Sequence, residues 1–196
     1  MSKRLKRNIA SASRWLHIYL SMFSFIALLF FAVTGITLNH TEWFSNQQQT
    51  VSVKGDMNKT FLSPDSNQIK KLEIVEFLRN KHGIKAPLKD FIIDEYQCVL
   101  SFKGPGYNAD IFLDRVKASY ELAQTSTGLV GILNDLHKGR DTSTQWKWLI
   151  DASAILMILV SLTGLMMLFF LKKKRVAGIL IVGIGGLITY LIYALF

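Results

Sequence analysis

The sequence predicts an α-helical membrane protein with three transmembrane helices and a small α+β domain outside the cytoplasm. Three observations carry that reading. Apolar runs at Trp15 to His40, Trp148 to Leu171 and Val176 to Phe196 are each long enough to cross a bilayer as a helix. Basic residues gather beside those runs: Lys3, Arg4, Lys6, Arg7 and Arg14 before the first, and Lys172, Lys173, Lys174 and Arg175 after the second. Between the first two runs the chain stays polar from about Thr41 to Thr127, long enough for a domain of its own.

The composition narrows the class. Half the residues are hydrophobic (50%), and the single cysteine, Cys98, excludes a disulfide scaffold. A net charge of +9 invites a nucleic-acid reading, but the nine flanking residues account for the whole surplus, because the remaining basic residues are matched by the 14 acidic ones. That distribution follows the positive-inside rule, which places the N-terminus and the KKKR loop in the cytoplasm and the C-terminus outside. Nucleic acid is not an expected partner, and membrane lipid is.

In chain order, residues 1–14 form a basic cytoplasmic segment and 15–40 the first span. Its apolar run is too long for a signal peptide, and no small-residue cleavage site precedes NHTEWF, so the span is expected to be retained. Residues 41–127 form the outer domain. A strand and loop are expected in SNQQQTVSVKGDMNKTF. A helix follows, because Ile69, Leu72, Ile74, Val75, Phe77 and Leu78 recur at helical spacing before Gly83. Short β-prone runs surround Phe91, Val99, Ile111 and Tyr120, so the helix should pack on a small antiparallel sheet, with Cys98 in its core. Residues 128–145 comprise an interfacial helix and linker. GLVGILNDLH is too short to span, but Leu129, Ile132, Leu133 and Leu136 share one helical face that can lie on the outer membrane surface. The second span, 146–171, opens on Trp146 and Trp148 as an interfacial aromatic belt. The cytoplasmic loop 172–175 and the third span, 176–196, complete the chain.

The pieces RWLHIYLSMFSFIALLFFAVTGITLNH, GLVGILNDLHKGR and SLTGLMMLFF resemble the PepSY-associated transmembrane proteins, which include bacterial iron-regulated membrane proteins and ferric-siderophore reductases. The likeness covers the first two spans closely and the outer domain loosely, which would then be PepSY-like. Larger members carry another span and more histidines. The resemblance implies the bacterial inner membrane, haem b held by span-end histidines, and electron transfer toward a ferric iron complex or an extracytoplasmic redox protein.

The residues can be set against that implication. A haem in an electron-transfer protein takes two axial ligands from opposite faces of the ring. His40 and His137 fall on the same side of the membrane on different elements, and are the expected axial pair. His17 lies about 35 Å from His40 along the first helix, near the opposite face. Its coordination could be completed by Met166, by Met167, or by His17 of a second copy in a homodimer; binding a quinol, or no ligand role, are the alternatives. No CxxCH is present, so covalent c-type attachment is excluded. Asp151 could orient a ligand histidine or pair with Lys147, and Arg140 could hold a haem propionate or stand as an ordinary interfacial arginine. Thr34-Gly35 and Thr163-Gly164 form an inverted echo in the first two spans, read either as helix packing or as haem contact. His82 is expected to be solvated. No phosphate-binding loop or HExxH occurs, so a reductase activity would draw electrons from a quinol or a cytoplasmic reductase. The rival class is a membrane-anchored PepSY interaction module without redox activity.

Overall fold

A computed structural model describes residues 3–63, 65–171 and 173–195. Lys172 of the basic loop, Phe196 at the end of the third run and the side chain of Lys3 lie outside the described residues. The chain forms two compact units: one contains the residues through Phe30 together with those from Leu149 onward, the other runs from Phe31 to Trp148.

Among the described residues, three helices are long and apolar enough to cross a membrane. They are α1 (Lys3–Asn39) and, later in the chain, α4 (Thr144–Phe170) and α5 (Arg175–Leu195). α1 begins twelve residues before the first apolar run. The basic segment is therefore helical and not an irregular tail, because Lys, Arg, Ala and Ser continue a helix at little cost once an apolar stretch has nucleated it. In the first unit, small and hydroxylated residues of α1 and α4 are the buried ones, Ser13, Ser24 and Ser153 among them, and Ser13 Oγ donates to Met166 Sδ at 2.8 Å. Small residues are what let two apolar helices approach in lipid.

The second unit holds a five-stranded antiparallel sheet of order β1-β5-β4-β3-β2. Its strands are β1 (Gln49–Asp56), β2 (Leu88–Ile93), β3 (Gln97–Gly104), β4 (Tyr107–Asp114) and β5 (Ser119–Ser126). Every run expected to be a strand is one. Helix α2 (Lys71–His82) lies between β1 and β2 in sequence, and Gly83, at φ 65°, ends it in the left-handed conformation. Ile74, Val75 and Leu78 of α2 are buried with Leu100, Phe102, Ile111, Leu113 and Leu122 of the sheet. Leu72, by contrast, is exposed, since it falls on the outer side of the same helix. Cys98 is fully buried in this core, and burial pushes its thiol pKa up.

His82 departs from its expected solvated state. Its Nε2 lies 2.8 Å from the Tyr120 hydroxyl, with the two rings edge to face. Burial, helped by Lys81, lowers its pKa from the ordinary 6.5. Above pH 6.5 the ring is neutral whether the chain is folded or not. As pH falls through 6.5 the unfolded chain takes up the proton first, so stability is lost progressively until the lower folded pKa is passed. Unfolding midpoints of the full chain are therefore expected to fall on acidification below about pH 6.5. Most of the portion due to this ring should vanish in His82→Gln.

The last helix of the second unit, α3 (Gly128–Lys138), has the predicted length and lacks the usual orientation of a surface helix. Asn134 and Asp135 are buried at 8% and 7% exposure, whereas Leu129 is 69% exposed.

Candidate histidine sites

His17, on α1, is held within the first unit. Its Nδ1 lies 3.1 Å from the Val160 carbonyl oxygen and 3.1 Å from Thr163 Oγ1 on α4. The Val160 carbonyl can only accept, and the Thr163 hydroxyl already donates to backbone carbonyls of Leu159 and Val160. Nδ1 must therefore carry the hydrogen, which leaves the lone pair on Nε2. Gly164 makes the approach feasible, because a Cβ there would sit 3.1 Å from His17 Cε1. Met166, considered as a second ligand, receives the Ser13 hydroxyl instead.

His137 repeats the arrangement inside the second unit. Near the end of α3, its Nδ1 is 2.6 Å from Thr34 Oγ1, and its ring meets Phe31 edge-on at 5.1 Å between centroids. Gly35 again provides the gap, with a Cβ there falling 3.9 Å from His137 Cε1. Burial, with the Lys138 ammonium adding, holds its pKa below the ordinary 6.5, so the ring is neutral at pH 7. The register of α3 fixes this placement: Thr37 Oγ1 donates to Asn134 Oδ1 at 2.7 Å, and the Gly106 backbone N–H donates to Asp135 Oδ2 at 2.8 Å.

The two Thr-Gly pairs thus each receive a histidine from another helix. The echo visible in sequence is a pair of imidazole clasps, which joins its packing role to the histidines. The tighter contact should be the less tolerant one. Gly164→Ala is expected to displace the His17 ring at a cost of about 1–3 kcal/mol, whereas Gly35→Ala leaves His137 in place. Imidazole nitrogen chemical shifts in labelled protein would report either ring leaving its hydrogen bond.

His40 follows the last residue of α1 and lies outside both clasps. Its Nδ1 is 3.2 Å from Glu42 Oε1, and its ring stacks on Trp43 at 4.0 Å with planes 6° apart. Among the described residues the His40 and His137 rings do not touch each other, so each is placed by separate partners. Arg140 Nε donates to Asp135 Oδ1 at 3.0 Å, and the side chain lines two pockets whose walls contain no histidine. Asp151 is exposed on α4, and among the described residues its carboxylate has no hydrogen-bond or ion-pair partner.

The donor set can be tested against a haem. An axial imidazole is neutral, presents one free nitrogen and is oriented through the other. His17, His40 and His137 each anchor Nδ1 and keep Nε2 clear of protein partners among the described residues. His82 is the opposite case, with Nε2 engaged by Tyr120. The signal missed in sequence was Glu42, two residues after His40, which supplies the carboxylate partner that Asp151 does not.

A family model described as PepSY_TM-like matches residues 11–196. No curated protein and no solved structure matches the chain.

Proposed function

Because the chain belongs to the PepSY_TM-like family, we propose that it is a haem b membrane protein that carries electrons in iron uptake. The reading takes a quinol or a cytoplasmic reductase as donor and a ferric iron complex or an extracytoplasmic redox protein as acceptor. One observation carries it: the three histidines nearest the ends of apolar runs all have an anchored Nδ1 and, among the described residues, a clear Nε2, and the fourth does not. Haem, when bound, supplies the one-electron chemistry. The chain's own part is to hold and tune. Thr34, Thr163 with the Val160 carbonyl, and Glu42 fix the ring orientations, each by holding Nδ1. Phe31 covers one side of the His137 ring. Arg140 is left out of the ligand set, because the two pockets it lines contain no histidine.

The full chain purified in detergent from haem-replete cells is expected to show a b-type absorption spectrum. His40→Ala and His137→Ala should each remove haem, measured as haem per chain, His17→Ala should do so where a second haem is bound, and His82→Ala leaves the stoichiometry unchanged. One haem per chain would confine binding to one end, and two would bring in His17. A colourless preparation, or a spectrum indifferent to all three ligand histidines, would sink the proposal.

A second reading, as an interaction module, is favoured by the sheet face opposite α2. Ile92, Val99 and Phe112 form one cross-strand row there, continued by Glu121 and Lys54, with Ile92 and Phe112 exposed. Loss of a binding partner in Phe112→Ala with an intact haem signal would separate this role from the first.

A further inference from the structure

We propose that the groove formed by α3 and the 3-10 segment Thr41–Gln47 binds the headgroup of an acidic phospholipid, with Lys138 and Arg140 seating its phosphate. This site is independent of any haem.

The first argument is the orientation of α3. A helix on the surface of a water-soluble domain buries its apolar stripe and exposes its polar one. α3 departs from this, leaving Leu129 exposed and Ile132 only part-covered by the Gly106 turn while burying Asn134 and Asp135. The two buried groups are satisfied by Thr37, Gly106 and Arg140, so the orientation is built in by hydrogen bonds. Trp43, in the adjoining 3-10 segment, is likewise exposed at 64%. An apolar face of this kind beside an indole is suited to the boundary between acyl chains and headgroups.

The second argument is charge at the end of that face. The groove has a volume of about 200 Å³ and is lined by apolar Phe44 and Val130, by the hydrogen-bonding side chains Ser45 and Gln48, and by the cations Lys138 and Arg140. Asp135 also borders it, but the Gly106 N–H and the Arg140 Nε already occupy its two oxygens. Arg140 keeps its terminal nitrogens available, and its side chain is 63% exposed. Lys138 has no hydrogen-bond or ion-pair partner among the described residues. One uncompensated cation (Lys138), the open terminal nitrogens of the Arg140–Asp135 pair and the Gln48 amide beside an apolar surface match a phosphodiester joined to acyl chains. They match a zwitterionic headgroup less well, because its ammonium would meet the surplus positive charge of Lys138. Inorganic phosphate and glycerol phosphate carry the same anion without the chains, and the apolar face favours the lipid.

The test uses the full chain in a neutral detergent, mixed with equal amounts of phosphatidylglycerol and phosphatidylcholine of identical acyl chains. Lipid retention is read by native mass spectrometry. Phosphatidylglycerol is expected to be retained preferentially. Lys138→Gln should weaken its retention about fivefold and Lys138→Glu about 30-fold, at roughly one charge contact per basic residue. Lys85→Glu, the same charge change on an exposed residue away from the groove, should have no effect. The unfolding midpoint of Lys138→Gln should stay close to the parent, since Lys138 has no hydrogen-bond or ion-pair partner among the described residues and gives up only its favourable place in the last turn of α3. Equal retention of the two lipids overturns the proposal, and so does an equal loss in Lys138→Glu and Lys85→Glu. Displacement of phosphatidylglycerol by glycerol phosphate at equal concentration would show a free-anion site and overturn the lipid assignment.

Discussion

Phe102→Ala is expected to destabilise the sheet unit by about 3–5 kcal/mol, the cost of emptying a large aromatic site in a packed core. Phe102 lies on β3 and is fully buried. It packs where α2 crosses the sheet, with the Arg79 guanidinium 5.7 Å from its ring centroid. Truncation would leave a cavity that Leu78 and Leu100 cannot fill without leaving their own contacts, and Arg79 Nε, already buried without a hydrogen-bond partner, would lose the ring as well. Chemical denaturation of the full chain in micelles checks this, followed by circular dichroism of the strand signal. Phe112→Ala is the control. Phe112 is on the neighbouring strand but half exposed on the opposite face, so its truncation should cost well under 1 kcal/mol. Equal losses in the two variants would mean that the core has been assigned to the wrong face of the sheet.

Gly106→Val is expected to be of similar size, about 3 kcal/mol or more, and to act on the join between the sheet and α3. Three causes add. Gly106 has φ 71°, in the left-handed region that a β-branched residue resists, as the second position of the Pro105-Gly106 turn between β3 and β4. A Cβ there would collide with the Ile132 side chain and lie 3.1 Å from the Ile132 backbone nitrogen, so backbone would have to move. Displacing the turn would also break the Gly106 N–H bond to buried Asp135, leaving that carboxylate with Arg140 alone of its two partners. Gly83→Ala separates these causes. Gly83 has φ 65° but nothing within 4 Å of a Cβ, so that variant should lose only about 1 kcal/mol. Because α3 carries His137, Gly106→Val should also release that ring from Thr34, visible as a changed imidazole nitrogen shift. A variant that unfolds less than Gly83→Ala would contradict the close packing of Ile132 on the turn.

The sequence by itself determined the three apolar helices, the helix over Lys71–His82, the four later strands and the burial of Cys98. Each depends on a local pattern: length of an apolar run, a 3.6-residue or two-residue period, or a glycine able to take positive φ. It also singled out the histidines and both Thr-Gly pairs, since these stand out chemically within apolar helices. Tertiary structure alone decided which pair meets which ring. That His17 settles on Thr163-Gly164 and His137 on Thr34-Gly35 depends on contacts more than a hundred residues apart in the chain. The same holds for His82, whose place at a helix end read as solvated until Tyr120 of β5 arrived beside it. It holds for Arg140, drawn to Asp135, and for α3, whose apolar stripe was legible while the burial of its polar Asn134 and Asp135 was not. Periodicity fixes which residues share a face; only the hydrogen-bond partners of Asn134 and Asp135 fix where that face points.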